Sequence, residues 1–130
     1  MAGLNRLGMA DAARSAIAVD EMLPAVAQGA IGVERRQGDA AVADLLAAIH
    51  DRETGLRLAA ERAFLLRLDG SCETPIAGLA VLEGDALWLR GEILRPDGAR
   101  VVSGEMRGAA TEGAALADEL LGRAGPGFFA

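Results

Sequence analysis

Apolar positions in the first half of the chain recur every three to four residues, as they do along one face of a helix. This spacing predicts helical structure over residues 3–18 and helices over residues 40–49 and 52–68. Asp39 immediately precedes the second of these segments, where its carboxylate can cap the first helical turn. Between the first two segments, the residues AIGVE at 30–34 are typical of a short strand.

In the second half of the chain the period of the pattern changes to two. Apolar and polar residues alternate, which predicts strands over residues 76–82, 86–94 and 99–106. The two connections, EGD and RPDG, are too short for a crossover. Neighbouring strands must therefore run antiparallel.

A final helix is predicted after the strands, with Thr111 as its cap and Gly125 at its end. The order of helix, loop, three antiparallel strands and helix predicts the α+β fold class for residues 50–130. This lobe consists of a three-stranded antiparallel sheet packed against helices. Residues 1–49 form no self-contained pattern beside it, so we divide the chain into two parts at this boundary.

The balance of charges narrows the function classes. The formal charge is −6, from 13 basic and 19 acidic residues, which disfavours a nucleic-acid partner because phosphate backbones require a concentrated positive surface. All thirteen basic residues are arginines, so lysine chemistry such as a Schiff base is excluded. Any bound anion must be held by arginine, by His50 or by backbone amides.

The small number of cysteines and histidines also excludes functions. A single cysteine cannot form an internal disulfide, and one Cys with one His cannot build a zinc site, so we expect no metal. No apolar run approaches the ~20 residues that cross a bilayer, and the N-terminus lacks the pattern of a signal peptide. We therefore expect a cytoplasmic protein without a membrane partner.

The single cysteine, Cys72, lies in the short polar loop of RLDGSCETPIAG, residues 67–78. Local features leave two interpretations open: a reachable thiol held between a helix and a sheet, or a small buried residue that fills the helix–strand junction. Nothing in the sequence places His50 beside it as a catalytic base. Upstream, Glu61 and Arg62 taken alone are typical of an ion pair on a solvated face.

The longer run ERAFLLRLDGSCETPIAG resembles the cofactor-attachment signature of the porphobilinogen deaminase family, also called hydroxymethylbilane synthases. The likeness holds position by position through the Glu-Arg pair, the Gly-Ser-Cys triplet and the Thr-Pro-Ile that follows. Upstream, AGLNRLGM and LPAVAQGAIGVERR are also similar to segments of that family, with the spacing to the cysteine kept. Downstream, LWLRGEILRPDG is similar to its C-terminal sheet. The resemblance covers nearly the whole chain.

The resemblance implies that Cys72 carries a dipyrromethane cofactor through a thioether. In the family this primer is extended by four porphobilinogen units, each losing ammonia, to give the linear tetrapyrrole hydroxymethylbilane of haem biosynthesis. The family holds the pyrrole carboxylates with arginines and backbone amides. Arg6 matches one of those arginines, Gln28 matches a polar residue near the substrate cleft, and Gly3 matches a backbone position on the same helix as Arg6.

The resemblance also implies that this chain corresponds to only part of a three-domain enzyme. Residues 1–24 would be the end of the second domain, residues 29–47 a segment that returns to the first, and residues 50–130 the third. The family's essential aspartate has no counterpart here, so no catalytic residue is assigned in this chain. The expected partners are porphobilinogen, the growing oligopyrrole and the missing N-terminal domains, and we expect the fragment to be inactive alone. Ala27 replaces a glycine that is usual in the family.

A non-enzymatic alternative stays open at this point. The chain could be a stand-alone α+β binding or interaction module that keeps the signature for packing. Residues 1–49 would then need their own burial, for example by dimerisation through their apolar faces.

Overall fold

A meander of three antiparallel strands carries the fold, and two helices cover one of its faces. The computed structural model describes residues 2–70, 74–84 and 86–130. The helices are α1 (Ala2–Arg6), α2 (Ala40–Ala47), α3 (Arg52–Arg67) and α4 (Gly113–Ala124), with 3₁₀ turns at Ala10–Ala12 and Ala110–Glu112. The strands are β1 (Ile76–Glu83), β2 (Ala86–Leu94) and β3 (Val101–Gly108), in the order β1-β2-β3. The α+β fold class predicted from the sequence is confirmed.

A row of glycines crosses the sheet under the ring of Phe64. Gly78 pairs with Gly91, and Gly91 pairs with Gly104, so the three residues lie side by side on adjacent strands. Phe64 is fully buried, and a Cβ atom on Gly91 would lie 2.6 Å from its ring. A Cβ atom on Gly104 would lie 2.8 Å from the side chain of Leu120. The glycine row therefore lets α3 and α4 approach the sheet closely.

The two helices also approach each other closely. The start of α4 at Gly113 lies so near α3 that a side chain there would clash with the carbonyl oxygen of Ala60. The core lies between the helices and the sheet. Its largest fully buried side chains are Phe64, Ile93, Leu116 and Leu120.

The sequence predicted the lobe well. The structure confirms α3, β1 and β2 within a residue or two, and β3 is displaced by two residues towards the C-terminus. The displacement has a local cause, because the backbone N–H of Arg95 donates to Arg100 and lengthens the turn around Gly98. The predicted cap of α2 is confirmed, since Asp39 accepts a hydrogen bond of 3.1 Å from the backbone N–H of Val42.

The prediction of a helix over residues 3–18 was wrong beyond the first turn. Helix α1 ends at Arg6, and Gly8 adopts a positive φ of 67°, which a continuing helix does not permit. The apolar residues that follow have little to pack against among the described residues, and Leu7 is 71% exposed. Most of a helix's stability comes from packing, so periodicity alone is not sufficient.

Two further predictions failed for local reasons. Residues 30–34 form no strand, because no described strand lies beside them; Ile31 is 94% exposed. Thr111 does not cap the last helix, since it lies inside a 3₁₀ turn in which the N–H of Glu112 donates to Ala109. That turn leads directly into α4, which begins at Gly113 without a side-chain cap.

The glycine row yields a test of the packing. We expect Gly91→Ala to lower the free energy of unfolding by about 1–3 kcal/mol, because its methyl group would overlap the Phe64 ring. Adding Phe64→Leu should make the double variant lose less than the sum of the single losses. Gly122→Ala on α4, where a Cβ atom has open space, should instead stabilise by about 0.5–1 kcal/mol. Urea unfolding measures all four variants, and an unchanged stability for Gly91→Ala would contradict this packing.

The N-terminus of α3 predicts a pH dependence. The side chain of Asp51 accepts a hydrogen bond of 2.7 Å from the backbone N–H of Thr54, and this bond lowers the pKa of the carboxyl below its usual value. A lowered folded-state pKa stabilises above the unfolded-state pKa, about 3.9, and this stability is lost as the pH falls through the folded-state pKa. Asp51→Asn should therefore have a lower Tm than the unsubstituted chain near neutral pH. We expect the difference to shrink below about pH 4, and a constant difference down to about pH 2 would contradict the assignment.

Candidate functional site

The predicted anchor residue, Cys72, lies outside the described residues, but both ends of its loop are described. Upstream, Leu68 is buried and Gly70 is packed so closely that a Cβ atom would lie 2.5 Å from Leu65 and 2.6 Å from Ile76. Downstream, the carbonyl of Pro75 accepts a hydrogen bond of 3.0 Å from the backbone N–H of Leu94. The described residues on either side of Cys72 are therefore fixed, Gly70 by its packing against Leu65 and Ile76 and Pro75 by its hydrogen bond to β2.

Arg6 and Gly3 lie together on α1, away from that loop in the chain. Arg6 is exposed at the end of the helix and makes no hydrogen bond or ion pair with the described residues. Gly3 is also exposed, and a Cβ atom there would meet nothing within 4 Å. No hydrogen bond between described residues joins either of them to Gln28. The assignment of these two residues to a cofactor site stays a prediction.

Gln28 lies at the junction between the upstream part of the chain and the lobe. It lines a small cleft of about 150 Å³ with Thr54, Arg57 and Glu61 of α3 and Ala80 of β1, among others. Within this cleft the guanidinium of Arg57 is incompletely paired. Its Nη2 lies 3.5 Å from a carboxylate oxygen of Glu53, whereas its Nε is buried and has no hydrogen-bond partner among the described residues. The cleft thus brings together an arginine, an amide and a hydroxyl side chain, beside the carboxylate of Glu61, whose two oxygens accept backbone hydrogen bonds.

Among the described residues of the lobe, Glu61 is the charged residue that is buried. Only 5% of it is exposed, and its two carboxylate oxygens accept backbone hydrogen bonds from Ala27 (2.7 Å) and Ala80 (2.8 Å). The interpretation of Glu61 and Arg62 as an ion pair on a solvated face was therefore wrong. Arg62 is exposed, but it does not pair with Glu61. The helical spacing in the sequence could have revealed that Glu61 is buried, because Glu61 precedes the buried Phe64 by three residues and shares its face of α3.

A stretch of residues 20–27, which we call the docked segment, is fixed to the lobe at three points. Asp20 forms an ion pair of 2.6 Å with Arg90 of β2. The carbonyl of Pro24 accepts a hydrogen bond of 3.0 Å from the N–H of Gly78 in β1. The N–H of Ala27 donates to Glu61, as described above. Between these points, the partly buried Val26 packs against the core.

Ala27 ends the docked segment in a conformation that favours glycine. Its φ is +64°, in the left-handed region that costs an L-residue about 1–2 kcal/mol. The glycine that the family usually has at this position would adopt this conformation without strain. Ala27 therefore occupies a turn that glycine would form with less strain.

The open face of the sheet carries a second cluster, in which charged side chains surround Trp88. The ring of Trp88 lies between the guanidinium groups of Arg90 (4.5 Å) and Arg107 (4.7 Å). Arg107 is bonded to Glu83 and Glu105, which raises the pKa of its guanidinium further above its usual value. Arg90 is paired with Asp20 of the docked segment through one Nη atom, whereas its Nε is buried and has no hydrogen-bond partner among the described residues.

Residues 2–70, 74–84 and 86–130 lack two features that would point to other functions. They contain no group of three or more His, Cys, Asp or Glu side chains placed to hold a metal ion. None of the helices in this part of the chain has the length and apolar character to span a membrane.

Comparison with known proteins gives consistent matches along the chain. A family model described as "Porphobilinogen deaminase, C-terminal domain" matches residues 56–122. A second, described as "Porphobilinogen deaminase, dipyromethane cofactor binding domain", matches residues 1–44. A porphobilinogen deaminase of Paracoccus denitrificans (strain Pd 1222) is 66% identical over 133 residues, an alignment that covers 99% of this chain and 42% of the relative. The chain therefore spans less than half the length of this curated relative.

The fold and the site define a small α+β lobe with an upstream segment docked on its sheet edge, and the first match assigns this lobe to a class of C-terminal domains. The chain belongs to the porphobilinogen deaminase family. The family resemblance expected from the signature around Cys72 is confirmed. The expected dipyrromethane cofactor is supported by the description of the second match.

The strained turn at Ala27 predicts the sign of two substitutions. Ala27→Gly should raise the free energy of unfolding by about 0.5–1 kcal/mol, because relief of the positive φ outweighs the entropy that glycine adds to the unfolded chain. Ala25→Gly, at a nearby position without a positive φ, should lower it by about 0.5 kcal/mol. Urea unfolding of the two variants provides the comparison. Equal losses at both positions would show that the turn is not strained.

Proposed function

We propose that the chain is the C-terminal part of a hydroxymethylbilane synthase. This enzyme is a transferase that joins four porphobilinogen units head to tail on a dipyrromethane primer, and Cys72 holds the primer. The observation that carries the proposal is the attachment signature around Cys72 within a chain that is 66% identical, over 99% of its length, to a porphobilinogen deaminase. The reaction itself belongs to the longer protein.

The chemistry explains the use of a cysteine. Loss of ammonia from an aminomethylpyrrole leaves an electron-poor carbon, and the sulfur of a thiolate is the side-chain nucleophile best able to attack it. The bond that forms is C–S and the bond that breaks is C–N; the thiol proton leaves with the ammonia. A thioether is not a redox bond, so it persists in a reducing cytoplasm, which is where we place the protein. When bound, the primer supplies the pyrrole end from which the chain is extended.

The donors near Gln28 fit the carboxylates of such a cofactor. Dipyrromethane and porphobilinogen carry acetate and propionate groups, which are recognised by guanidinium and amide donors. Gln28 and the partly unpaired Arg57 line one cleft, and we assign Gln28 to carboxylate binding there. Arg6 and the backbone at Gly3 are assigned to the same task on α1, where the exposed guanidinium of Arg6 is not paired with any described residue.

Turnover requires the rest of the enzyme. No residue of this chain is assigned the role of the family's essential aspartate, so we expect the fragment to be inactive alone. Residues 1–49 are proposed to pack against the neighbouring domains, and their exposed apolar side chains support this. They include Leu7, Met22, Ile31, Val33, Leu45 and Ile49, each more than half exposed.

Intact-mass spectrometry tests the anchor. When the missing domains and porphobilinogen are supplied, the mass of the chain should increase by one dipyrromethane unit. Cys72→Ser should abolish the increase, because an alcohol is a far weaker nucleophile at neutral pH than a thiolate. Arg62→Gln, a change on the exposed side of α3, serves as a folding control that keeps the thiol. An unmodified Cys72 in a complete and active enzyme would contradict the proposal.

A further inference from the structure

We propose that Glu61 is a positioning residue that pairs the docked segment with the free edge of β1 and thereby fixes Gln28 beside the cofactor-anchoring lobe. The pairing consists of the hydrogen bonds that Glu61 accepts from Ala27 and Ala80. Its consequence for cofactor binding rests on the function proposed above for Gln28.

The backbone of β1 offers donors on the edge that faces away from β2. The N–H of Gly78 is satisfied by the carbonyl of Pro24, as in a regular sheet pair. At the next outward donor, Ala80, the docked segment supplies no carbonyl, and the N–H donates to Glu61 instead. The docked segment therefore forms one sheet-like hydrogen bond with β1, at Gly78. At Ala80 the side chain of Glu61 serves as the acceptor in place of a backbone carbonyl.

Between the docked segment and β1, next to Ala80, both backbones present N–H donors. A carboxylate fits between them because it only accepts hydrogen bonds. The N–H of Ala27 points at the gap from the docked segment, and the N–H of Ala80 points at it from β1. Two donors cannot bond each other, but a carboxylate has two acceptor oxygens and can bond both. At 2.7 and 2.8 Å, both bonds are short, as expected for charge-assisted hydrogen bonds.

Glutamine has nearly the same shape but cannot replace this function. Its amide has one acceptor oxygen, so one of the two N–H groups would face an NH₂ group and remain unpaired in a buried place. A role of Glu61 in packing alone would tolerate Glu61→Gln, whereas a role in pairing would not. Gln28 follows Ala27 directly, so release of this pairing frees Gln28 from the lobe.

Amide hydrogen exchange measured by NMR on the whole chain tests the proposal. In Glu61→Gln, at least one of the amides of Ala27 and Ala80, the one that faces the NH₂ group, should exchange about tenfold faster or more, as expected for loss of one buried charge-assisted bond. Their proton resonances should also move upfield, since the charged acceptor is gone. The amides of Leu116 and Leu120 in α4 should change less than about twofold. Glu119→Gln, which removes an exposed carboxylate on α4, is the matched control and should leave Ala27 and Ala80 unchanged.

Two outcomes would overturn the proposal. If Glu61→Gln leaves the amides of Ala27 and Ala80 protected, the carboxylate does not hold the segment. If α4 loses protection to the same extent, Glu61 supports the whole lobe and does not position Gln28.

A second variant keeps the test valid if Glu61→Gln does not fold. Asp20→Asn breaks the exposed ion pair with Arg90 and should leave Ala27 protected, because Glu61 still holds that end. Equal loss of protection at residues 20–23 and at Ala27 in this variant would contradict the proposal. The exchange experiment needs no cofactor, so its outcome is independent of whether Cys72 becomes modified.

Discussion

The contact between the ring of Phe64 and the glycine row sets the geometry on which the other features depend. The ring is fully buried, and Gly91 leaves no room for a methyl group beneath it. The distance from α3 to the sheet is therefore fixed by an aromatic ring lying on bare backbone. Glu61 lies almost one turn before Phe64 on the same face of α3, so the same contact brings its carboxylate to the edge of β1. The loop of Cys72 starts at the end of that helix.

Local patterns were sufficient for the lobe because its partners are neighbours in the sequence. The turns EGD and RPDG join adjacent strands, and α3 and α4 flank them directly. Upstream of residue 39 the same patterns failed, whereas α2 with its Asp39 cap formed where it was predicted. The apolar residues before residue 39 recur at regular spacing, but many of them, such as Leu7 and Ile31, lie exposed in the described part of the chain. No packing therefore stabilises a helix or a strand around these two residues. The periodicity of apolar residues shows which face of a segment could be buried. Whether a helix or a strand forms there depends on whether another part of the protein packs against that face.

The site was only partly predictable, and for a different reason. Gln28, Arg6 and Gly3 were identified through family resemblance, and the structure brings only Gln28 into a cleft with the lobe. Glu61 was part of the same signature but was interpreted as a surface charge, since a carboxylate is rarely buried without partners. Its partners are backbone amides of residues 27 and 80, far apart in sequence, and no local pattern reveals such a pair. Cys72, which the sequence made prominent, lies outside the described residues.

Occupation of the β1 edge has a consequence for how the lobe behaves in solution. Unpaired strand edges are templates on which a second chain can add a strand, and proteins protect them with charges or covering segments. Here the carbonyl of Pro24, in the docked segment, accepts from the N–H of Gly78, and the buried carboxylate of Glu61 accepts from the N–H of Ala80. A piece of the chain that keeps this edge fully covered must therefore include residues 20–27. A shorter piece that begins at α3 would keep Glu61 on Ala80 but leave the N–H of Gly78 unpaired, and this opening favours association by strand addition.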